Sequence, residues 1–229
     1  MYNFLFDVDG TLTASRSPMD PEFRAWFVQW SRHRAVYFVT GSDYAKTVEQ
    51  LGRDLCESVT GVYNCAGNQF YRQGILEKTK SWSPTEEQRA YLELLLSKSP
   101  YAVKTGQHIE DRGCLTNFSI VGRAATGEQR RAYSEWDRTR GGRIKTALLI
   151  QSQFPELDAV VAGETGIDIY PKGWDKSQIA EDFNEPCVFF GDMMSPGGND
   201  STLAARVQRA HHVKDWRETW QLLRDNYSD

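Results

Sequence analysis

Two apolar segments, one near each end of the chain, run directly into aspartate residues and limit the fold more than any other feature. Residues 2–6 are apolar or aromatic except for one asparagine, and the motif DVDGT follows them. Residues 188–190, Val-Phe-Phe, lead into Gly191 and Asp192. Short apolar runs bounded by turn residues are typical of buried strands. Ligands of open α/β sheets bind at the carboxyl ends of strands. We therefore predict that both segments end at one edge of a sheet.

The first third of the chain alternates strands and helices. Apolar runs at 35–39 and 61–65 predict a second and a third strand. Helices are predicted to begin after Asp20, which precedes a proline, and after Ser42 or Asp43, since such residues cap helix N-termini. The order strand, helix, strand, helix, strand predicts an α/β fold with a mainly parallel sheet.

The pattern changes after residue 81. A capping box at 83–86 opens a helix, and the segments that follow no longer alternate regularly. The predicted strands of this region are 101–104, 107–111, 115–121, 157–162 and 166–170, and the predicted helices are 127–139 and 143–153. Further on, we predict a strand at 187–190 and helices at 175–183, 201–208 and 215–225. The chain is thus predicted to have an α/β core, 1–81 and 172–229, interrupted by an inserted α+β domain, 82–171.

Composition excludes several classes of protein. With 40% hydrophobic and 25% charged residues, the 229-residue chain has the composition of an ordinary globular protein. Its net charge of −4 predicts no nucleic-acid or membrane partner. The N-terminus lacks the basic start of a signal peptide, and no apolar run approaches the ~20 residues that cross a bilayer, so we expect a cytoplasmic protein. Four scattered cysteines without a CxxC pair predict neither a zinc site nor a disulfide framework.

The polar residues at the predicted strand ends indicate phosphoryl chemistry. Asp7 and Asp9 are two residues apart, so both carboxylates can face one crevice, and Asp192 reaches the same edge. Carboxylates held together repel each other, and their oxygen ligands favour Mg²⁺ over zinc. Thr40, after the second strand, and Lys176, in a late helix, supply a hydroxyl and an ammonium that can bind phosphoryl oxygens.

The motifs DVDGT, TGS and GDMMSPGGND, with a lysine between the last two, resemble those of the haloacid dehalogenase (HAD) superfamily of phosphotransferases. The resemblance implies that Asp7 is the nucleophile that forms an aspartyl-phosphate and that Asp9 is the general acid/base. It also implies that Thr40 and Lys176 bind the phosphate. The implied magnesium ligands are Asp7, Asp9, Asp192 and Asp200.

Five longer segments resemble the eukaryotic-type phosphomannomutases: DVDGTLTASR, GSDYAKTVEQLG, SIVGR, DIYPKGWDK and FFGDMMSPGGND. That family has a HAD core with an α+β cap inserted after the third strand. The three cap arginines that match the family are spaced by eleven and seven residues, as they are in that family. The implied substrate-binding residues are Arg16 in the core and Arg112, Arg123, Arg130, Asn117 and Asp168 in the cap. The implied reaction is a Mg²⁺-dependent exchange of phosphate between positions 1 and 6 of a hexose, with a hexose 1,6-bisphosphate as activator.

Departures from the family pattern leave a second function open. Gly166 replaces a serine, residues 66–68 replace Glu-Asn-Gly, and the chain is somewhat shorter. Thr40 stands where the mutases commonly carry glycine, and threonine is ordinary in HAD phosphatases. The alternative is therefore a HAD phosphatase that hydrolyses a sugar phosphate or another small phosphate ester. A non-catalytic binding protein would be expected to lack Asp7 or Asp9, and both are present. The sequence leaves the hexose and the oligomeric state open, a homodimer included.

Overall fold

The computed structural model describes residues Tyr2–Ser228, which form two compact units. We call the first the core unit; it comprises the chain up to Lys80, Asp175–Pro196 and the chain from Asp200 onward. The second, the insert unit, comprises Ser81–Trp174 and Gly197–Asn199. The last three residues belong to it because Gly197 and Asn199 exchange backbone hydrogen bonds with Val161 (3.1 and 3.2 Å).

The elements are numbered in chain order. The strands are β1 (Asn3–Phe6), β2 (Ala35–Val39), β3 (Gly61–Asn64), β4 (Gln69–Arg72), β5 (Ile75–Thr79), β6 (Ile109–Asp111), β7 (Thr116–Phe118), β8 (Leu157–Ala162), β9 (Gly166–Pro171), β10 (Cys187–Gly191) and β11 (Arg209–His212). The α-helices are α1 (Pro21–Ser31), α2 (Tyr44–Leu51), α3 (Arg53–Ser58), α4 (Glu86–Lys98), α5 (Gly127–Arg140), α6 (Gly142–Gln153), α7 (Ser201–Ala204) and α8 (Trp216–Asn226). Two 3₁₀-helices span Cys65–Gly67 and Lys176–Asp182.

The core unit contains a seven-stranded sheet in the order β11-β10-β1-β2-β3-β4-β5. The first five strands of this order are parallel, and the last two pair antiparallel. The central strand β1 is hydrogen-bonded to β2 on one side and to β10 on the other, so two segments far apart in sequence meet there. The predicted α/β fold with a mainly parallel sheet is confirmed.

Helix α1 shows how the sequence builds the apolar core. The Asp20 side chain accepts from two backbone N–H groups of the first turn, as predicted for an N-cap. Phe23, Phe27 and Trp30 recur at helical spacing and are buried. Phe27 packs edge-on against Phe6 of β1, with ring centroids 5.3 Å apart. The aromatic stripe therefore attaches the helix to the strand that leads into the first aspartate.

Several predicted elements of the core unit were incomplete or wrong. The antiparallel hairpin β4–β5 was not predicted, because every residue of β5 is exposed and the strand lacks an apolar pattern. The helix predicted at 201–208 ends at Ala204 and is followed by the polar edge strand β11, three of whose four residues are exposed. Edge strands bury little surface, so their sequences carry weak hydrophobic signals.

The insert unit is α+β, as predicted. Its sheet has the order β6-β7-β9-β8 with antiparallel pairs throughout, and α4, α5 and α6 belong to the same unit. Phe118, Ile150 and Ile169 lie in its buried apolar cluster. The strand predicted at 101–104 is wrong, since these residues form no ladder. Within residues 2–228, none of the helices combines the length and the apolar character needed to cross a bilayer.

Candidate active site

The carboxyl ends of β1 and β10 bring the first and last acidic motifs together. Phe6 pairs with Phe190 in the parallel ladder, and the backbone N–H of Asp7 donates to the Phe190 carbonyl over 2.9 Å. Asp192 follows β10 one residue beyond its end. Each carboxylate therefore projects from a strand whose position is fixed by a neighbouring strand, which is the arrangement predicted from the sequence.

Lys176 links two of the acidic residues. Its Nζ lies 2.5 Å from Asp7 Oδ1 and 2.7 Å from Asp200 Oδ1, and its side chain has no exposed surface. Burial opposes the ammonium charge, but the carboxylates of Asp200 and Asp7 outweigh that effect and raise the pKa of Lys176. The lysine is thus held protonated beside the predicted nucleophile.

Asp7, Asp192 and Asp200 form the acidic group best suited to a metal ion among the described residues. Each offers one carboxylate oxygen, and these oxygens lie within 4.8 Å of one another. Burial, with the neighbouring charges of Asp200 and Asp192, raises the pKa of Asp7 well above its usual range. Burial and Asp200 raise the pKa of Asp192 to about 7. Crowded, desolvated oxygen ligands fit a hard divalent cation such as Mg²⁺.

Gly10 allows Asp192 to approach the first motif. Its φ is +89°, which side-chain-bearing residues rarely adopt. A Cβ atom at this position would lie 2.3 Å from Oδ2 of Asp192. The glycine of DVDGT therefore serves both the turn and the close approach of a carboxylate, and replacing it would displace the predicted metal ligand.

Asp9 lies outside this three-carboxylate group. Its Oδ1 accepts from the backbone N–H of Arg16 over 2.6 Å and from Nε2 of Gln50 over 3.0 Å. Arg16 makes this contact from a left-handed backbone conformation, φ 55°. The carboxylate of Asp9 is therefore oriented by two donors that hold one of its oxygens. Its assignment as a metal ligand stays a prediction.

Gln50 is a residue of the site that sequence reasoning missed. It belongs to α2 and is 3% exposed, and its Nε2 also donates to Thr13 Oγ1 over 3.3 Å. Buried glutamine is uncommon because its amide needs hydrogen-bond partners, and here the partners belong to the loop after β1. The position of Gln50 beside the apolar face of α2 could have indicated a buried polar contact. The sequence does not identify its partner, Asp9, because the two residues are 41 positions apart.

A left-handed turn after β3 positions the phosphate-binding residues predicted from the sequence. Residues 65–67 all have positive φ, between 52° and 89°. The Ala66 N–H donates to the Thr40 carbonyl, and the Gln178 side chain donates to the Ala66 carbonyl, both over 2.9 Å. Since Gln178 lies in the 3₁₀-helix that begins with Lys176, the turn ties the end of β2 to that helix. The Thr40 hydroxyl oxygen accepts from a backbone N–H two residues on, which leaves its proton to donate.

The insert unit carries the second group of predicted residues. Oε2 of Glu110 accepts from Nε and Nη2 of Arg112 (3.0 and 2.5 Å) and lies 2.8 Å from Nη2 of Arg123. Nη1 of Arg123 donates to Oδ1 of Asn117 over 3.2 Å, and Nδ2 of Asn117 donates to Asp168 over 2.7 Å. Four predicted binding residues, Arg112, Arg123, Asn117 and Asp168, thus form one network with their partner Glu110.

Arg130, the third predicted arginine, has a carboxylate partner of its own. Its Nη2 lies 2.6 Å from Oε2 of Glu164, and its side chain is 13% exposed. Sequence reasoning missed both Glu110 and Glu164 because acidic residues near a predicted anion site carry no obvious function. The structure shows that each is an ion-pair partner of a predicted phosphate-binding arginine.

Comparison with known sequences decides the family. The family description "Eukaryotic phosphomannomutase" matches residues 24–228. The chain belongs to the eukaryotic phosphomannomutase family. It is 34% identical to a phosphomannomutase of Encephalitozoon cuniculi, over 86% of this chain and 82% of the relative. It is also 30% identical to a probable phosphomannomutase of Caenorhabditis elegans, over 93% of this chain and 90% of the relative.

Solved structures that resemble this member of the phosphomannomutase family share its HAD fold at low sequence identity. An N-terminally truncated IMP-nucleotidase of Plasmodium falciparum has a TM-score of 0.67 at 13% identity, over 100% of this chain and 71% of that one. The C-terminal domain of Candida albicans trehalose-6-phosphate phosphatase has a TM-score of 0.62 at 15% identity, over 97% and 90%. With the family match, this fold makes the chain a phosphotransferase of the HAD type, with a Rossmann-like core and an inserted α+β unit.

One departure from the phosphomannomutase pattern has a structural explanation. A Cβ atom on Gly166 would lie 2.5 Å from Nδ2 of Asn117, so the Asn117 amide lies where a serine side chain would begin. Nδ2 of Asn117 donates to Asp168 from that position. Any side chain at 166 would have to move the amide that orients Asp168.

Proposed function

We propose that this phosphomannomutase-family protein is a Mg²⁺-dependent phosphosugar mutase that interconverts a hexose 1-phosphate and a hexose 6-phosphate. The observation that favours a mutase over a phosphatase is the arginine network of the insert unit, Arg112 and Arg123 with Asn117 and Asp168. A phosphatase needs to bind only the phosphate it removes, whereas a mutase must also hold the phosphate that remains. Arginine binds phosphate bidentately and suits that second task.

The proposed chemistry begins with an aspartyl-phosphate on Asp7. A free hydroxyl of the bound hexose phosphate gives its proton to Asp9, and its oxygen forms a bond to phosphorus while the bond from phosphorus to the Asp7 oxygen breaks, which gives a hexose 1,6-bisphosphate. In the second half of the reaction, the bisphosphate presents its other phosphate to Asp7. The Asp7 oxygen forms a bond to that phosphorus while the bond from phosphorus to the sugar oxygen breaks, and Asp9 returns its proton to that oxygen. Asp7 is phosphorylated again, and the isomeric hexose phosphate is the product.

The other core residues stabilise charge in this scheme. The Lys176 ammonium and the Thr40 hydroxyl would donate to the oxygens of the transferring phosphoryl group. Asp7, Asp192 and Asp200 would hold Mg²⁺, with Asp9 as the remaining predicted ligand. The bound ion would neutralise the carboxylates and the phosphoryl oxygens. The crowding of three carboxylates, of which those of Asp7 and Asp200 are buried and that of Asp192 is partly buried, supports this assignment.

The insert unit is proposed to be the substrate-binding cap. Arg112, Arg123 and Arg130 would bind the phosphate that does not react, and Asn117 and Asp168 would bind sugar hydroxyls. Arg16 would bind substrate from the core unit. A hexose 1,6-bisphosphate is the proposed activator, because it can supply the phosphate that first loads Asp7. The side chains of the three arginines are between 8% and 22% exposed, so the charge of each is largely withdrawn from water while part of its surface stays exposed.

Location and assembly complete the proposal. We propose a cytoplasmic protein, which the cysteines support: all four are buried, and no disulfide joins them within the described chain. A homodimer is the proposed assembly, and analytical ultracentrifugation tests it directly.

The decisive experiment is a panel of hexose 1- and 6-phosphates, assayed with and without a hexose 1,6-bisphosphate. Both isomer formation and release of inorganic phosphate are followed. A mutase gives isomer at a rate that the bisphosphate increases, with little free phosphate. The alternative, a HAD phosphatase, is favoured by Thr40 and would release phosphate without isomer. Release of phosphate as the main product from every hexose phosphate would replace the mutase proposal with this alternative.

A further inference from the structure

Glu110 stands between two of the proposed phosphate-binding arginines and has no role in the function described above. Its Oε2 accepts from Nε and Nη2 of Arg112 and lies 2.8 Å from Nη2 of Arg123. Two guanidinium groups this close repel each other when both are partly withdrawn from water. A carboxylate that contacts both converts the repulsion into two attractions and fixes the distance between them.

The sheet of the insert unit holds this carboxylate in place. Glu110 pairs with Asn117 across β6 and β7, and Asn117 pairs with Asp168 across β7 and β9. The three side chains therefore form a row across neighbouring strands, on one face of the sheet. Arg123 bridges the first two members of the row, since it contacts Glu110 and donates to Asn117.

The backbones of the two arginines are fixed as well. The Arg112 N–H donates to the Leu115 carbonyl over 2.9 Å, and the Arg123 N–H donates to the Gln107 carbonyl over 2.8 Å. Their guanidinium groups thus approach Glu110 from two different loops at fixed positions. The Arg112 side chain is only 8% exposed and the Glu110 side chain is 29% exposed. The carboxylate is therefore reachable at a surface, while the arginine it binds is nearly buried.

We propose that Glu110 is a positioning residue that holds Arg112 and Arg123 as a preformed pair for a single phosphate group. This inference rests on the proposed function, in which these arginines bind the non-reacting phosphate. Glu110 acts through the arginines and does not contact the substrate. Because each guanidinium has five N–H donors, a bridging carboxylate can orient both and leave the pair able to bind phosphate.

The test is Glu110→Gln, which keeps the size of the side chain and removes its charge. We expect KM for the hexose phosphate to rise about tenfold, because both arginines lose a charge-assisted hydrogen bond that orients them. We expect kcat to change less than KM, and hydrolysis of a simple aryl phosphate to stay at the wild-type level. A merely structural role would lower both activities together.

Two further variants control the interpretation. Asp111→Asn removes a charge from the next residue, whose nearest cation is Arg89 at 3.7 Å, and should leave KM unchanged. Glu110→Asp keeps the charge but shortens the side chain by one methylene, which moves the carboxylate away from the arginines. Its KM should lie between those of wild type and Glu110→Gln. If Glu110→Gln does not fold, a wild-type KM in Glu110→Asp overturns the proposal. An unchanged or lower KM in a folded Glu110→Gln also overturns it, because the carboxylate would then merely compete with phosphate.

A binding measurement separates this proposal from the proposed function. Calorimetry with glucose 1,6-bisphosphate as the probe and Asp7→Asn as the protein reports affinity without turnover. If the probe does not bind, the proposed function fails. If it binds, and adding Glu110→Gln leaves its Kd unchanged, only the role of Glu110 fails. A Kd weakened about tenfold by Glu110→Gln supports both.

Discussion

The core unit and the insert unit each contain a cluster of acidic and basic side chains that are buried or partly buried, but the two clusters balance charge differently. In the core unit, the carboxylates of Asp7, Asp192 and Asp200 share the single ammonium of Lys176. In the insert unit, every predicted arginine has a carboxylate partner: Glu110 serves two, and Glu164 serves the third. The core cluster therefore has more acidic than basic groups, while the charges of the insert cluster are balanced by its own residues.

This difference indicates what each cluster needs. Burial, together with the charges of neighbouring aspartates, raises the pKa of Asp7 and Asp192. A bound cation would relieve both the desolvation and the repulsion. The insert cluster is already neutralised, so an incoming phosphate must exchange with, or add to, existing ion pairs. A site of the first kind favours tight metal binding, and one of the second kind favours selectivity through geometry.

The largest expected effect comes from replacing Asp7, the proposed nucleophile of the core cluster. Asp7→Asn should lower turnover on the order of 10³-fold or more, because an amide cannot form the phosphoenzyme. Steady-state rates and phosphate labelling of the protein measure this. An unchanged circular dichroism spectrum is the control for folding. Activity above a tenth of wild type would end the covalent-aspartate mechanism.

A smaller effect is expected in the insert cluster. Arg123→Ala loses a charge-assisted contact of roughly 1.5–3 kcal/mol, which is about a ten- to hundredfold loss of kcat/KM for the hexose phosphate. Hydrolysis of an aryl phosphate, which has no second phosphate, should be spared. Arg138→Ala is the matched control. The Arg138 side chain is 73% exposed, and its ion-pair partner, Glu135, lies one turn earlier in the same helix. Equal losses on both substrates in Arg123→Ala would contradict the role of the insert arginines.

The smallest expected effect is a change with pH in how much magnesium stabilises the folded protein. With its pKa raised to about 7, Asp192 keeps its proton in the metal-free folded state, while the unfolded chain releases it near its ordinary value of 3.8. The folded state thus binds more protons between these values, so the metal-free protein loses stability as pH rises from about 4 to about 7. Magnesium replaces the proton, and its stabilising effect should therefore be greater at pH 8 than at pH 6.

Scanning calorimetry at both pH values, with magnesium or with chelator, measures this effect. At a magnesium concentration 100 times Kd, stabilisation is about 2.7 kcal/mol, or roughly 5–10 °C in Tm for a chain of this size. Asp192→Asn should abolish most of the magnesium effect and make the metal-free Tm less sensitive to pH. The same gain in Tm at pH 6 and pH 8 would show that no carboxylate of the core cluster exchanges a proton for the ion.

The parts of the core site that were predictable from sequence are those set by strand ends. Asp7 and Asp192 each follow an apolar run, and parallel pairing then brings them together. The contact between Gln50 and Asp9 was not predictable, because it depends on where α2 packs. The left-handed turn at 65–67 was also missed, since only one of its three residues is a glycine.

In the insert unit, the predicted arginines were identifiable from sequence, but their acidic partners were not. The spacing of its arginines matched a family, but their partners Glu110 and Glu164 were invisible as site residues. Glu110 is close to Arg112 in sequence, and its contact with Arg123 arises only from the loops that flank β6 and β7. Local patterns predict which residue types are present, whereas the pairing of charges depends on tertiary structure.

The interrupted order of the core sheet has a consequence for synthesis. Strand β1 is hydrogen-bonded to β10, but the whole insert, Ser81–Trp174, lies between them in sequence. At ribosomal rates of 5–20 residues per second, β1 waits roughly ten to forty seconds for its partner. During that time one apolar edge of the nascent sheet is unpaired, and such edges attract other chains. Asp7, the proposed nucleophile, therefore meets Lys176 and Asp200 only after residue 200 has been synthesised, so a chain that stops before that point has no assembled core cluster.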